Sequence, residues 1–252
     1  MLWTISLFTL KPGASLERWV DQLASGLREY EAFLESCGQR FLGLYRLDLE
    51  QKTGSSSPSV ALSGTCAEVC LVEGASASTA ALREVEVPRT AGPQSWLNDR
   101  WGFVQPEGRV RLWLQPLGLS PLTAKPFILK DLLLHLTLRH LPANKTVQKL
   151  AEFDQRIIAH YAAHMLQARW YHIGTFHVFG LPEYMYVDTL DAVDAAGVGE
   201  ALANDATLPL TDEMKAIYEE CDLFVDRDRE RYQLWLTPVL QGRAAQAGLR
   251  LD

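Results

Sequence analysis

The chain has 252 residues, 48% of them hydrophobic, and a net charge of −7. That length and composition bury one large core or two small ones. The acidic balance, with no Lys/Arg cluster interleaved with aromatic residues, excludes the electrostatic footprint of a nucleic-acid binder.

Residues 2–10 are apolar, but no basic segment precedes them and Lys11-Pro12-Gly13 follows directly. They read as a strand and not as a signal peptide, and no apolar run is long enough to span a membrane. The four cysteines (Cys37, Cys66, Cys70, Cys221) lack metal-ligand spacing. Cys66 and Cys70 fall in a predicted strand, where residues four apart sit about 13 Å from each other, too far for a disulfide. These features predict a reduced, cytoplasmic protein.

In chain order, a first strand covers Trp3 to Lys11. A helix follows from Ser15 as N-cap, with an apolar stripe at Leu16, Trp19, Leu23, Leu27, Tyr30 and Leu34 and Gly38 as C-cap. A second strand covers Phe41 to Leu49, and the polar run Gln51 to Ser59 reads as a loop. A third strand covers Thr65 to Glu73, weak helical segments cover Ala75 to Val85 and Trp96 to Trp101, and a fourth strand covers Arg109 to Leu117. The order is β-α-β-β-α-β, the ferredoxin-like unit.

The second half repeats this order. Leu132 to His140 is its first strand, with H-L-T-L-R at 135–139 echoing L-F-T-L-K at 7–11. A helix covers Thr146 to Gln167, a strand Tyr171 to Phe179, a strand Tyr184 to Thr189, and helices Asp191 to Ala203 and Thr211 to Cys221. The closing strand R-Y-Q-L-W-L-T-P-V (231–239) repeats R-V-R-L-W-L-Q-P-L (109–117), with Trp113 and Trp235 in register. The prolines of both copies are expected to end the ladder, because proline donates no hydrogen bond. Residues 1–118 and 127–252 are thus two repeats joined by a linker over 119–126.

These features, together with an opening strand ending L-K-P-G and closing strands ending L-W-L-x-P, resemble the dimeric α/β-barrel superfamily. The superfamily includes NIPSNAP-like and stress-responsive proteins, antibiotic-biosynthesis monooxygenases, EthD-like proteins, small polyketide cyclases and the haem-binding chlorite dismutase group. The resemblance implies an α+β fold of two tandem ferredoxin-like repeats, whose antiparallel sheets form a barrel with helices outside. The barrel closes within the chain or between chains, which leaves room for a homodimer. No catalytic set of a member matches these residues one by one.

All six histidines lie in the second half. His160 and His164 stand one helical turn apart, but Tyr161 occupies the place of the general base of a zinc protease motif, and the pair reads as boundary histidines. No metal site is expected. On the strand 131–140, Leu132, Leu134, Leu136 and Leu138 form one face, expected to meet the helices. Asp131, His135, Thr137 and Arg139 are then expected to point into the barrel, or else to form a solvent-facing surface. The same reasoning brings in Tyr184, Tyr186 and Asp188, and from the last strand Gln233, Trp235 and Thr237. On Tyr171 to Phe179, close helix approach at Gly174 would put His177 and Thr175 inside and His172 outside.

The expected site therefore has His135, His177, Tyr184, Tyr186, Asp188 and Arg139 as catalytic residues. Trp235, Gln233, Thr137 and Asp131 bind a small apolar or amphiphilic organic ligand. His135 or His177 is the base, a tyrosine the proton donor, and Arg139 the clamp for an oxyanion. The resemblance implies a cyclase, dehydratase or cofactor-free monooxygenase acting on a polyketide-like or aromatic substrate. Its alternatives are a non-enzymatic NIPSNAP-like binding protein and a haem protein with a histidine axial ligand.

Overall fold

Alternating apolar side chains on eight strands close a single antiparallel barrel within this one chain. The computed structural model describes residues 1–52, 64–73, 102–105, 109–119, 128–141, 146–167, 169–179, 185–194, 212–222 and 231–249. Most of the expected loop 51–59, the helical segments 75–85 and 96–101, all but the first residue of the linker 119–126, and Tyr184 lie outside those residues.

The first half contributes β1 (Leu2–Phe8), α1 (Leu16–Ser25), α2 (Leu27–Ser36), β2 (Gln39–Lys52), β3 (Cys66–Val72) and β4 (Val110–Leu119). The second contributes β5 (Leu132–His140), α3 (Val147–Gln167), β6 (Trp170–Phe179), β7 (Met185–Asp194), α4 (Asp212–Asp222), β8 (Arg231–Gln241) and the short α5 (Arg243–Ala247). The single helix expected after Ser15 is two helices broken at Gly26, whose N–H closes the first on Leu23 and Ala24 carbonyls. Ser15 caps it as expected, accepting from the Arg18 N–H at 3.4 Å.

Around the barrel the strands run β1-β3-β2-β8-β5-β7-β6-β4, and β4 returns to β1. Each half supplies four consecutive strands in the same spatial order: its last, first, third and second. The prolines do not end their strands. Pro116 and Pro238 each sit beside a register shift and the strand runs on past them, the bulge position where a missing N–H leaves no gap in the ladder.

The interior is apolar. Ile5, Leu7 and Val69 from the first half meet Leu136, Leu234 and Phe176 from the second, all fully buried. Each such side chain contributes about 1.5–3 kcal/mol relative to leaving it in water. Trp3 meets Phe176 edge-on across the barrel, ring centroids 6.5 Å apart. Outside, Trp19 of α1 packs edge-on to Phe8 at 5.9 Å and Tyr30 of α2 on Phe41 at 5.3 Å. Over the second half, α3 sets Val147, Leu150 and Phe153 against Leu141 and Leu117.

Gly174 serves its neighbouring strand, where close approach of a helix was expected. A Cβ there would lie 2.6 Å from the Gly118 carbonyl of β4, and one at Gly43 would lie 2.7 Å from the Leu240 carbonyl of β8. Gly43 pairs with Gln241 of β8 and Gly174 with Leu119 of β4, in the two seams that join one half's sheet to the other's.

Candidate functional site

The faces of β5 and β8, and His177 on β6, are the reverse of the expectation, while His172 faces outward as expected. Leu134, Leu136 and Leu138 line the barrel interior with Ile5 and Leu7, so His135, Thr137 and Arg139 stand on the outer face. On β8, Leu234 and Leu236 are interior, which turns Gln233, Trp235 and Thr237 outward. His177 lies between the interior residues Phe176 and Val178, and it too faces out, half-buried with its ring 4.2 Å from Phe179. The register explains the reversal. Trp113 pairs with Thr4 and Trp235 with His135, so the equivalent of His135 is Thr4, three residues from the Leu7 that sequence similarity selects. An odd displacement moves every side chain to the other face of a strand.

The expected residues separate into two patches. His135 and Trp235 share one register row, while Arg139 and His177 flank Tyr186 in another. The rows are four residues apart on β5, about 13 Å. Arg139 is engaged by Asp154 of α3 at 3.2 Å, and burial pulls the His177 imidazole pKa down. Thr137 is buried opposite Gln233 and Thr189. Asp188 is the unpaired extra residue of a bulge in β7. Asp131 is exposed in the turn before β5, where its N–H donates to the Gln241 side chain at 2.9 Å.

The first row contains what the sequence reading missed. Across β8, β5, β7 and β6 it runs Trp235, His135, Asp191, His172, each opposite the next. Asp191 was expected to begin a helix; it lies instead within β7, which runs on to Asp194. His135, Asp191 and His172 are all buried. His172 Nδ1 lies 2.8 Å from Asp191 Oδ1, a hydrogen bond. His135 Nδ1 lies 3.6 Å from Asp191 Oδ2, too long for one, and is held electrostatically.

Burial pushes the Asp191 carboxyl pKa up, but the His135 and His172 imidazoles outweigh it and hold the group well below the usual carboxylate range. An ionised Asp191 draws Nδ1–H donors, which turns the Nε2 lone pairs of both rings away from the carboxylate. Those two Nε2 atoms are buried and have no hydrogen-bond partner among the described residues. The indoles of Trp235 and Trp170 enclose His135, at centroid distances of 4.1 Å (tilted) and 5.4 Å (edge-on). The Trp170 Nε1–H is likewise buried and unpartnered among the described residues. The row is thus a buried His-Asp-His set with two indoles against one of its imidazoles. No three His, Cys, Asp or Glu side chains among the described residues are placed to hold a metal ion.

The corresponding row of the first half is Trp113, Thr4, Cys70, Phe41. The tryptophan is kept, and a neutral set stands where the second half has His, Asp and His.

The chain shares its fold with a candidate monooxygenase from Lactobacillus acidophilus NCFM. The two agree at a TM-score of 0.54 with 10% sequence identity, over 100% of this chain and 99% of the other. A candidate monooxygenase from Fusobacterium nucleatum subsp. nucleatum aligns at a TM-score of 0.45 and 8% identity, over 98% of this chain and 95% of its own. An anthrone oxidase-like protein aligns at 0.44 and 12%, over 98% and 96%. No known protein-family profile matches the sequence, and no curated protein matches it. Among the described residues no helix is long and apolar enough to cross a membrane.

Proposed function

We propose that the chain is a small-molecule enzyme of the monooxygenase type that works by acid–base chemistry, with His135, Asp191 and His172 at its centre. The observation that carries this reading is the difference between the halves. At the same register positions the first half has Thr4, Cys70 and Phe41, with Phe41 packed on Tyr30. Neutral side chains therefore serve the barrel well in that place. A buried carboxylate is expensive even when paired, and a strongly perturbed titratable group held between specific partners marks a candidate site.

His135 is the general base. Its Nε2 takes the acidic proton of a phenol or enolisable ketone lying against the Trp235 and Trp170 rings, and Asp191 stabilises the imidazolium that forms. The resulting anion reduces O2. A carbon–oxygen bond forms at the activated carbon, the O–O bond breaks, a CH2 group becomes C=O, and the second oxygen leaves as water with the two hydrogens. The substrate is aromatic or polyketide-like, since the walls near the base are indoles. The same base also suits cyclisation or dehydration, which removes a proton next to a carbonyl. The repeated strand order supports tandem ferredoxin-like repeats of the dimeric α/β-barrel superfamily, and the fold shared with the Lactobacillus protein supports the monooxygenase type over the cyclase.

The test uses 1,8-dihydroxyanthrone, 1-naphthol and enolisable aromatic ketones under ¹⁸O2, with mass spectrometry of the products. One ¹⁸O atom should enter a product, and His135→Gln should lower the rate by about 10²-fold or more while remaining folded. No incorporation and no oxygen uptake across the panel would overturn the reading.

A further inference from the structure

We infer that Arg169 is a positioning residue of this site, holding the Trp170 indole against His135 through a strained turn; the inference rests on the function proposed above. Arg169 has φ 55°, in the left-handed region that side chains other than glycine rarely adopt. The first half builds the same turn with glycine. Gly38 has φ 72°, and its carbonyl accepts from the Glu73 N–H at 3.1 Å, as the Arg169 carbonyl accepts from the Asp194 N–H at 3.1 Å. The next residues, Gln39 and Trp170, pair with Val72 and Val193 at matching positions. One turn thus carries a strain-free residue in the first half and a strained one in the second.

The arginine side chain forms an ion pair with Asp194, at the end of β7. That pair joins the two strands that carry His172 and Asp191. A strand-end clamp does not itself require strain, because the first half makes one from Arg40 of β2 to Glu73 at 2.8 Å. The strained version stands directly before Trp170, whose ring meets His135 at 5.4 Å and Trp235 at 5.9 Å, both edge-on. Its Nε1–H is a buried donor with no hydrogen-bond partner among the described residues. Fixing the torsions at Arg169 fixes where the Trp170 side chain leaves the strand. Glycine would free them. Strain held beside a working side chain is strain with a use.

The experiment compares Arg169→Gly and Asp194→Asn with the wild type in the ligand-free full chain. It follows the indole ¹H–¹⁵N resonance of Trp170, assigned with Trp170→Phe. Arg169→Gly should melt at or above the wild-type temperature, yet shift or broaden that resonance and speed its hydrogen exchange at least tenfold. Asp194→Asn should move the resonance in the same direction. Both should lower ¹⁸O incorporation with 1,8-dihydroxyanthrone by about 10²-fold, the usual effect of a misplaced site group. An unmoved resonance in Arg169→Gly, or a large fall in its melting temperature, overturns the inference. If the indole responds as expected but the wild type incorporates no label, the positioning stands and the functional reading falls.

Discussion

Replacing Asp191 by Asn removes the charge at the centre of the row and keeps the shape. The carboxylate is buried, with one hydrogen bond to His172 at 2.8 Å and a looser contact to His135 at 3.6 Å. One charge-assisted hydrogen bond contributes about 1.5–3 kcal/mol. For a chain of this size that lowers the melting temperature by about 3–12 °C. Deleting the group with Ala would cost more, about 3–5 kcal/mol, because both imidazoles lose their partner. The pH dependence has a definite sign. The Asp191 carboxyl is held below its unfolded value, so its contribution is fully present above about pH 4, the unfolded carboxyl pKa. It is lost as pH falls further toward the folded value, where the unfolded chain binds a proton that the folded chain does not. Urea titrations of the wild type and Asp191→Asn at pH 7 and pH 3 read the difference directly. The penalty should be largest at pH 7 and smaller at pH 3. The variant should also lose turnover by about 10²–10⁴-fold, since the amide no longer fixes the tautomer of both rings. A penalty as large at pH 3 as at pH 7, or a variant as stable as wild type at pH 7, would refute an ionised Asp191.

Three further outcomes follow from the geometry. The combined variant His135→Thr, Asp191→Cys, His172→Phe, which copies the first half's row, should stay within about 2 kcal/mol of wild-type stability because a buried ionic set is replaced by neutral residues, yet show no oxygen incorporation; failure to fold on circular dichroism would mean the row is structural. Gly174→Ala should destabilise by about 1–3 kcal/mol, since its Cβ would meet the Gly118 carbonyl at 2.6 Å, and an unchanged melting curve would show that β4 and β6 can separate freely there. Tyr45→Phe should be neutral or stabilising by about 1 kcal/mol, because the Tyr45 hydroxyl is buried without a hydrogen-bond partner among the described residues and burial pushes its pKa up. The nearby Gln241 amide is occupied by the Leu129 carbonyl and the Asp131 N–H; a clear loss of stability in calorimetry would show that Gln241 also serves Tyr45.

The elements legible in the sequence are those with a clear period of their own. The leucines of β5 alternate, and the stripe of α3 recurs every three to four residues, so both elements were placed within a residue of their observed ends. Asp191 was not legible as a strand residue. The run D-A-V-D-A-A favours helix locally, and only pairing with β5 and β6 on either side draws it into β7. The same pairing brings together His135, Asp191 and His172 from three strands, and no local spacing announces them. The contrast with Thr4, Cys70 and Phe41 follows only from the strand pairing of the two halves.

That register marks the division. Alternation along a strand determined that β5 has a leucine face and a polar face, and likewise that Trp235 lies opposite Leu234 and Leu236. It could not determine which face is inside. Alternation has a period of two and no direction, so a three-residue slip between similar segments inverts the assignment and leaves the pattern intact. Barrel closure through the β2–β8 and β4–β6 pairings decides it. Once the ring is shut, the leucine face of β5 must fill the space opposite Ile5 and Leu7, because no polar row could be satisfied there. His135 and His172 are left on the outside, where Asp191 meets both and the indoles meet His135.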